Sequence, residues 1–401
     1  MFRKIFKAFH YRDFRILWIG ACTSSIGTWM QQMAQAWLVL EISKSPFLLG
    51  LDAFLGNIPI FLFSLVGGVV ADRIDRRYAL LGSQYVQMVC ALILTVLLVL
   101  NKVQIWEILL LSSVVGTAQS FGGPAYSALV PSLVEKEDLS NAIALNSIQF
   151  NLARVIGPVI GGIVLKTMGA AWCFGLNALS FVAVIISIYC LRINFKPPRT
   201  GESVMTSMKQ GFGFIRNQGA MVSLIALAFL MTAFAIPMIT FLPVFAKDVF
   251  KRGPEAFTMF LVCSGLGSIS GALGVAALGN VKNKGMIALS MLMLLGAVMS
   301  GFALSKNMYL SYALLFVAGA SLICAFSMIS SLVQLITANE MRGRVMSVYN
   351  VAFRGGMPFG SLASGKLIPM FSAPVVIAAN GVLLFCLGFY FMVIKRRVAK
   401  L

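Results

Sequence analysis

Twelve apolar runs follow one another along this chain with short polar breaks between them, at about 16–40, 46–70, 79–100, 105–130, 142–166, 171–191, 220–246, 256–279, 285–305, 308–338, 345–370 and 373–394. About 20 apolar residues are what an α-helix needs to cross the hydrocarbon core of a bilayer. Only 11% of the 401 residues are charged, 59% are hydrophobic and the mean hydropathy is +0.90. A soluble domain carries about 25% charged residues. So much apolar surface cannot be hidden inside one globular core. The expected fold is therefore an all-α membrane protein of twelve transmembrane helices.

The net charge of +19 does not point to nucleic acid, because the basic residues are split up by the apolar runs. With the N-terminus inside, the inner segments hold 22 Lys and Arg, the outer loops 8, and the span interiors 2, Arg154 and Arg354. That bias predicts both termini in the cytoplasm. One inner loop, 131–140, dissents with Glu135, Glu137 and Asp138 against Lys136. The basic opening MFRKIFKAFHYRDFR leads into a run too long for a signal-peptide core, so it reads as a retained first span. Seven cysteines without a CxxC read as free, buried thiols, and the single histidine, His10, precedes the first span. Neither a metal site nor a cofactor is expected, and no Walker loop is present to use ATP directly.

The longest break, 192–219, holds Pro197 and Pro198, then Met205, Met208, Phe212 and Ile215 at helical spacing. It reads as a cytoplasmic linker with an interfacial helix, dividing the chain into six-span halves at 1–191 and 220–401. The halves echo each other. Arg154 and Pro158 in NLARVIGPVIGG match Arg354 and Pro358 in NVAFRGGMPFGS, and Asn177 falls near Asn380 in the sixth span of each half. A duplicated helix bundle with a repeated polar element at mid-span is the build of a secondary transporter rather than an enzyme.

Between spans two and three stands GGVVADRIDRRYALLG. It resembles the loop signature of the major facilitator superfamily, carried here by Gly68, Asp72, Arg73, Arg76 and Arg77, with Asp75 where that signature has glycine. Gly67 and Gly68 would let span two approach a neighbour closely. The resemblance implies that Asp72 faces the start of span eleven, NEMRGRVMS, where Arg342 or Arg344 completes a latch over a cytoplasmic gate. The bland alternative is that Arg73, Arg76 and Arg77 only anchor topology. The run GPVIGG resembles the family's antiporter motif, which implies export. Gly157, Gly161 and Gly162 offer a close-packing strip and Pro158 a bend. The expected partner of that strip is the glycine-rich span eight with Gly265, Gly267, Gly271 and Gly274. The family's arginine motif in span four is missing. The pattern ADRIDRR, GGPAYSALVPSLV, DLSNAIALNS, NLAR, GPVIGG and RGRVMSVYN is most similar to the enterobactin-exporter-like, or transmembrane secretion effector, branch.

Arg154 is expected roughly 14 Å deep, near the bilayer midplane, with Arg354 at a similar depth. Arginine there costs at least about 2.5–3.5 kcal/mol on insertion scales. Either a wet cavity lets the pair attract an anionic substrate, or the guanidinium groups bond backbone between helices. A proton-coupled exchanger also needs a carboxyl able to hold a proton, which burial favours; Asp52, inside span two, is the candidate. Gln31, Gln32 and Gln35 lie between Trp29 and Trp37 in span one. With Asn57, Gln119, Asn146 and Gln149 they are candidates to line a cavity for amphipathic organic molecules, the rival being interhelical bonding. The expected activity is alternating-access efflux of a small amphipathic compound driven by proton exchange. The rivals are dedicated export of an anionic metabolite such as a siderophore, and lipid movement. The expected setting is the lipid bilayer of the bacterial cytoplasmic membrane, with protons and a small molecule as partners, no nucleic acid, and a monomer.

Overall fold

The computed structural model describes residues 6–73, 75–192, 211–216, 218–279 and 281–401, without the side chains of 65 and 69–73. Among them run twelve long helices: α1 Arg12–Ser43, α2 Pro46–Arg73, α3 Arg76–Val99, α4 Ile105–Leu129, α5 Leu139–Thr167, α6 Ala170–Tyr189, α7 Gly219–Thr240, α8 Pro254–Leu278, α9 Lys284–Leu304, α10 Met308–Leu335, α11 Arg342–Phe371 and α12 Ala373–Phe389. Ten are long and apolar enough to cross a membrane. The two that fall short in apolarity are α1, with its three glutamines, and α11, with Arg342, Arg344, Arg354 and Lys366.

Local chemistry starts several helices where they start. The Asp75 side chain accepts from the Arg77 amide at 2.9 Å and caps α3. Gln104 and Glu107 form a capping box at α4, with the Gln104 amide donating to the Glu107 carboxylate at 2.8 Å. Asn307 accepts from the Tyr309 and Leu310 amides at the head of α10. Such caps satisfy donors that lipid cannot. Pro237 lies inside α7, and a short helix at Leu242–Val244 and a π turn at Phe245–Val249 follow it.

The chain divides into two compact units. Unit 1 comprises 1–42 and 58–201; unit 2 comprises 43–57 and 202–401. Unit 2 takes the first turns of α2 because Gly50 sits against Ser361 and Gly365 of α11; an added Cβ would stand 2.6 Å from the Ser361 carbonyl. In unit 1 a core of Phe14, Leu17, Leu80, Leu129, Leu145, Phe181 and Ile188 gathers around the end of the helices where the chain begins.

Between helices, small residues do most of the joining, as expected where lipid is as apolar as the side chains. In unit 2, Gly267 and Gly271 lie against the backbone of Phe316 and Ala320, pairing α8 with α10. Gly356 and Gly360 pair α11 with α7 at Phe229 and Ala233, and Gly296 meets Gly381 where α9 crosses α12. In unit 1, Gly157 and Gly161 face Ile26, Trp29 and Met30 of α1. This corrects the expected pairing of GPVIGG with span eight. The α5 strip is filled by α1 and the α8 strip by α10, each within its own unit. The cysteines are free, but only Cys90 and Cys173 are buried; Cys22, Cys263 and Cys324 are half-buried, and Cys190 and Cys386 are exposed. In the linker, Met205 and Met208 fall outside the described residues; 211–216 are helical, with Ile215 buried and Phe212 exposed.

Candidate functional site

The signature loop after α2 spends two of its basic residues on helix ends. Arg76 donates to the Ala128 carbonyl at 2.7 Å, and Arg77 to the carbonyls of Ile188 at 3.1 Å and Tyr189 at 3.4 Å. These are the last carbonyls of α4 and α6, where a helix dipole is negative and acceptors lack partners. So Arg76 and Arg77 hold three helices of unit 1 together at one end, which a topology signal alone does not require. Asp75, where the signature has glycine, is the cap of α3. Close approach belongs to Gly67, whose missing side chain admits the Ser120 carbonyl, whereas among the described residues nothing lies within 4 Å of a Cβ placed at Gly68. This corrects the expectation for Gly68. The side chains of Asp72 and Arg73 lie outside the described residues. Arg342 is exposed, and Arg344, half-buried, contacts the Met341 sulfur at 3.6 Å.

Arg154 lies 15 residues into α5 and Arg354 12 residues into α11, roughly 22 and 18 Å along the axes at 1.5 Å per residue. Both are therefore near mid-span. Arg154 is half-buried and Arg354 exposed. Among the described residues neither guanidinium donates a hydrogen bond or joins an ion pair. The reading in which they bond backbone between helices therefore finds no support. Pro158 and Gly162, beside the strip, are buried.

Most of the amides are tied into unit 1. Gln35 donates to Ser112 at 2.9 Å, joining α1 to α4. Gln31 accepts from Asn177 at 2.6 Å, joining α1 to α6. Gln149 donates to the Ala21 carbonyl at 3.1 Å and to Ser25 at 2.7 Å, while the Tyr126 hydroxyl donates to Asn146 at 3.1 Å. Gln119 is exposed and accepts from Gln87 at 3.1 Å. Gln32 is exposed, and Asn57 returns its amide to the Ala53 carbonyl one turn back, at 2.8 Å. Asp52 is 9% exposed, in the part of α2 that packs with unit 2.

Each unit holds a cavity at the end where α4 meets α5, or α10 meets α11. In unit 1 it measures about 390 Å³ and is lined by Tyr126, Ile143, Asn146, Phe150 and Asn151 among others. In unit 2 it measures about 450 Å³ and is lined by Phe326, Ser327, Ser330, Ser331, Gln334, Leu335 and Arg342. Of the predicted site residues, the structure places Asn146 and Arg342 on these walls. Tyr126 and the three serines were not among the sequence candidates. The only sequence signal that marks them is the repeat itself: 126, 127, 130 and 131 of the first cavity stand two hundred residues before 326, 327, 330 and 331 of the second.

Residues 5–400 match the transmembrane secretion effector family. Macrolide efflux protein A of Streptococcus pyogenes is 20% identical, with 94% of each chain covered. The staphyloferrin A transporter of Staphylococcus aureus is 24% identical over 93% of this chain and 94% of that one. Enterobactin exporter EntS of Shigella boydii is 26% identical over 94% and 90%. Among solved structures, the nucleoside transporter NupG superposes with a TM-score of 0.77 at 14% identity, covering 95% of this chain and 98% of that one. A bacterial homologue of the lysosomal transporter Spinster gives 0.76 at 12% identity and 97% of each. These likenesses show the fold.

Proposed function

Because this chain belongs to the transmembrane secretion effector family of major facilitator transporters, we propose that it exports a small amphipathic organic compound carrying an anionic group. The route is alternating access across the bacterial cytoplasmic membrane, with both termini in the cytoplasm, in exchange for protons. Relatives that handle a macrolide, staphyloferrin A and enterobactin support efflux of organic molecules. The observation that carries the anionic part is the pair Arg154 and Arg354. Two guanidinium groups near mid-span, without a partner among the described residues, are costly in lipid and useful only where a mobile anion or water meets them. The bound anion offsets that cost in the loaded state, so the charge favours loading over an empty site.

The proton step needs a carboxyl inside a span, and Asp52 is the candidate. It is nearly buried and sits two residues from the Gly50 crossing, where α2 touches α11. A carboxyl there changes charge when it takes a proton, and a group's desolvation depends on how tightly that crossing is shut.

Proteoliposomes with an imposed pH gradient test this reading. Arg154→Gln and Arg354→Gln should each lower accumulation of an anionic amphiphile roughly 10- to 100-fold, the loss of one charge-assisted hydrogen bond. Both proteins should remain folded and monodisperse. Undiminished transport in both variants sinks the anionic reading. Undiminished transport in Asp52→Asn without a pH gradient dependence sinks the proton step alone.

A further inference from the structure

The cavity in unit 2 has a chemistry that the mid-span arginines do not explain. It lies where Lys284 opens α9, Leu335 closes α10 and Arg342 opens α11. Three hydroxyls, of Ser327, Ser330 and Ser331, an amide, Gln334, and the Arg342 guanidinium line its wall. The Lys284 ammonium donates to Ser331 at 3.4 Å, which brings a second cation to the same wall. No carboxylate is among the lining residues, and among the described residues neither Lys284 nor Arg342 forms an ion pair. Behind the wall, the Tyr349 side chain is fully buried and its hydroxyl lies beside Ser330. Stacking fixes that ring: Tyr349 lies 6.4 Å from Phe353, which lies 4.5 Å from Phe326 on the cavity wall.

We propose that this cavity is a binding site for one oxyanionic group, a phosphate or carboxylate, at the end of the bundle expected to face the cytoplasm. The donor set is one-sided. Two cations and three hydroxyls offer hydrogen-bond donors converging on a space of about 450 Å³, and an oxyanion takes donors from several directions at once. Arg342 supplies a planar fork suited to two oxygens, and Lys284 a point charge. The first turn of α11, a helix of 30 residues, adds amide donors and the positive end of its dipole behind Arg342. The counterpart cavity of unit 1 lacks every one of these cations. It has Tyr126, Ser127, Val130 and Pro131 where unit 2 has Phe326, Ser327, Ser330 and Ser331. The anion chemistry is thus confined to one copy of the duplicated cavity. It is independent of Arg154 and Arg354, so it stands whether or not the exported compound is anionic.

Two sources present such a group: a soluble anion, and the phosphodiester of an anionic lipid in the adjoining leaflet. The full-length protein is placed in nanodiscs of phosphatidylcholine, and its thermal unfolding is followed while inorganic phosphate is added. A second set of discs contains phosphatidylglycerol. Both sets are run for the native chain, Arg342→Gln, Lys284→Gln, Ser331→Leu, and Lys306→Gln, an exposed cation elsewhere in unit 2. The native protein should show a saturable rise in Tm. A rise with phosphate identifies a soluble source, and a rise with phosphatidylglycerol alone identifies a lipid. Arg342→Gln should abolish the rise, Lys284→Gln should reduce it, and Lys306→Gln should leave it intact. Ser331→Leu fills the cavity without touching a charge and should also abolish it, which covers the case that Arg342→Gln folds poorly. No saturable rise in either set, or a rise of equal size in Arg342→Gln and Ser331→Leu, overturns the proposal.

Discussion

Helices α5 and α11 carry the same mark, an arginine with a proline four residues on, yet turn that arginine to different surroundings. In α5 the packing glycines are Gly157 and Gly161, three and seven residues past Arg154. At about 100° per residue they lie within about 60° of the arginine around the helix. In α11 the packing glycines are Gly356 and Gly360, two and six residues past Arg354. That puts them about 120–160° away. The duplicated helices kept the arginine and proline in register but shifted the contact face by one residue. Arg154 is therefore tucked toward the α1 interface and half-buried, while Arg354 is carried away from the α7 interface and exposed. Equivalence in sequence is not equivalence in environment.

The largest effect comes from forcing the α5 register onto α11. Position 160 is isoleucine and exposed; position 360 is glycine and buried against Ala233. Gly360→Ile should drive a branched side chain into the Ala233 backbone and lower stability by about 1–3 kcal/mol or prevent folding. Ile160→Gly, at the matching place, should cost only about 1 kcal/mol through helix propensity. Thermal unfolding of the two variants reads the difference, and equal losses would mean the rotated contact face is wrong.

A second way to break the comparison is chemical access. Arg354→Cys should react faster than Arg154→Cys with a charged, membrane-impermeant thiol reagent, in a background freed of the seven native cysteines. The ratio follows from exposure of the arginine position and from whether that exposure is to water. If Arg354→Cys resists the charged reagent but reacts with an apolar maleimide, Arg354 faces lipid, and the substrate role assigned to it fails.

The helices themselves were plain in the sequence. The expected run 105–130 is Ile105–Leu129 and 308–338 is Met308–Leu335, because hydrophobic length and cap residues such as Gln104 and Asn307 act locally. What packs on what was not plain. GPVIGG announces a flat helix face but nothing in it names the partner, and both α1 and the glycine strip of α8 are chemically suitable. The choice depends on how helices are ordered in three dimensions, which a strip of small residues does not encode. The same holds for the candidate site. Arg154 and Arg354 stand out because charge in a span is rare. Ser327, Ser330 and Ser331 do not, because serines are ordinary in packed membrane helices and only Lys284, some 45 residues earlier in the chain, gives them meaning.

The two cavities supply a smaller test. Tyr126 and Phe326 are counterparts, and only the tyrosine hydroxyl has work to do, donating to Asn146 at 3.1 Å. Tyr126→Phe should cost about 1 kcal/mol, one neutral hydrogen bond, read as a lowered Tm. It should leave the oxyanion response of unit 2 unchanged, since that cavity shares no residue with this one. A loss of that response in Tyr126→Phe would show the cavities to be coupled rather than separate.

The smallest effect is at the acidic loop of unit 1, whose counterpart in unit 2 has Ala338 where unit 1 has Asp138. Lys7 pairs with Asp138 at 2.8 Å, Tyr11 donates to the same carboxylate at 3.0 Å, and the Ala8 amide donates to Asn141 at 2.9 Å. The acid that opposed the topology rule is thus the anchor of the N-terminal segment. The Lys7 hydrogen bond, ahead of the Tyr11 bond and the lysine charge, holds the Asp138 carboxyl below its usual range despite desolvation, and Asp138 raises Lys7 above the usual lysine value. The sign follows. For the carboxylate, the stabilisation is full above about pH 3.9, its unfolded value, and fades as pH falls through the depressed one. For the lysine, it is full below about pH 10.4 and fades as pH rises through the raised one. Between those limits both members of the pair keep their charge. Hydrogen exchange at residues 7–11 should be flat from about pH 8 to 9 after correction for the intrinsic rate, above the range in which the His10 charge, which also acts on Asp138, changes. Asp138→Asn should raise it across that window, modestly, because Lys7 is mostly exposed and such pairs are weak. Protection that survives Asp138→Asn intact would mean that Ala8, buried against the unit 1 core, holds the segment without the ion pair.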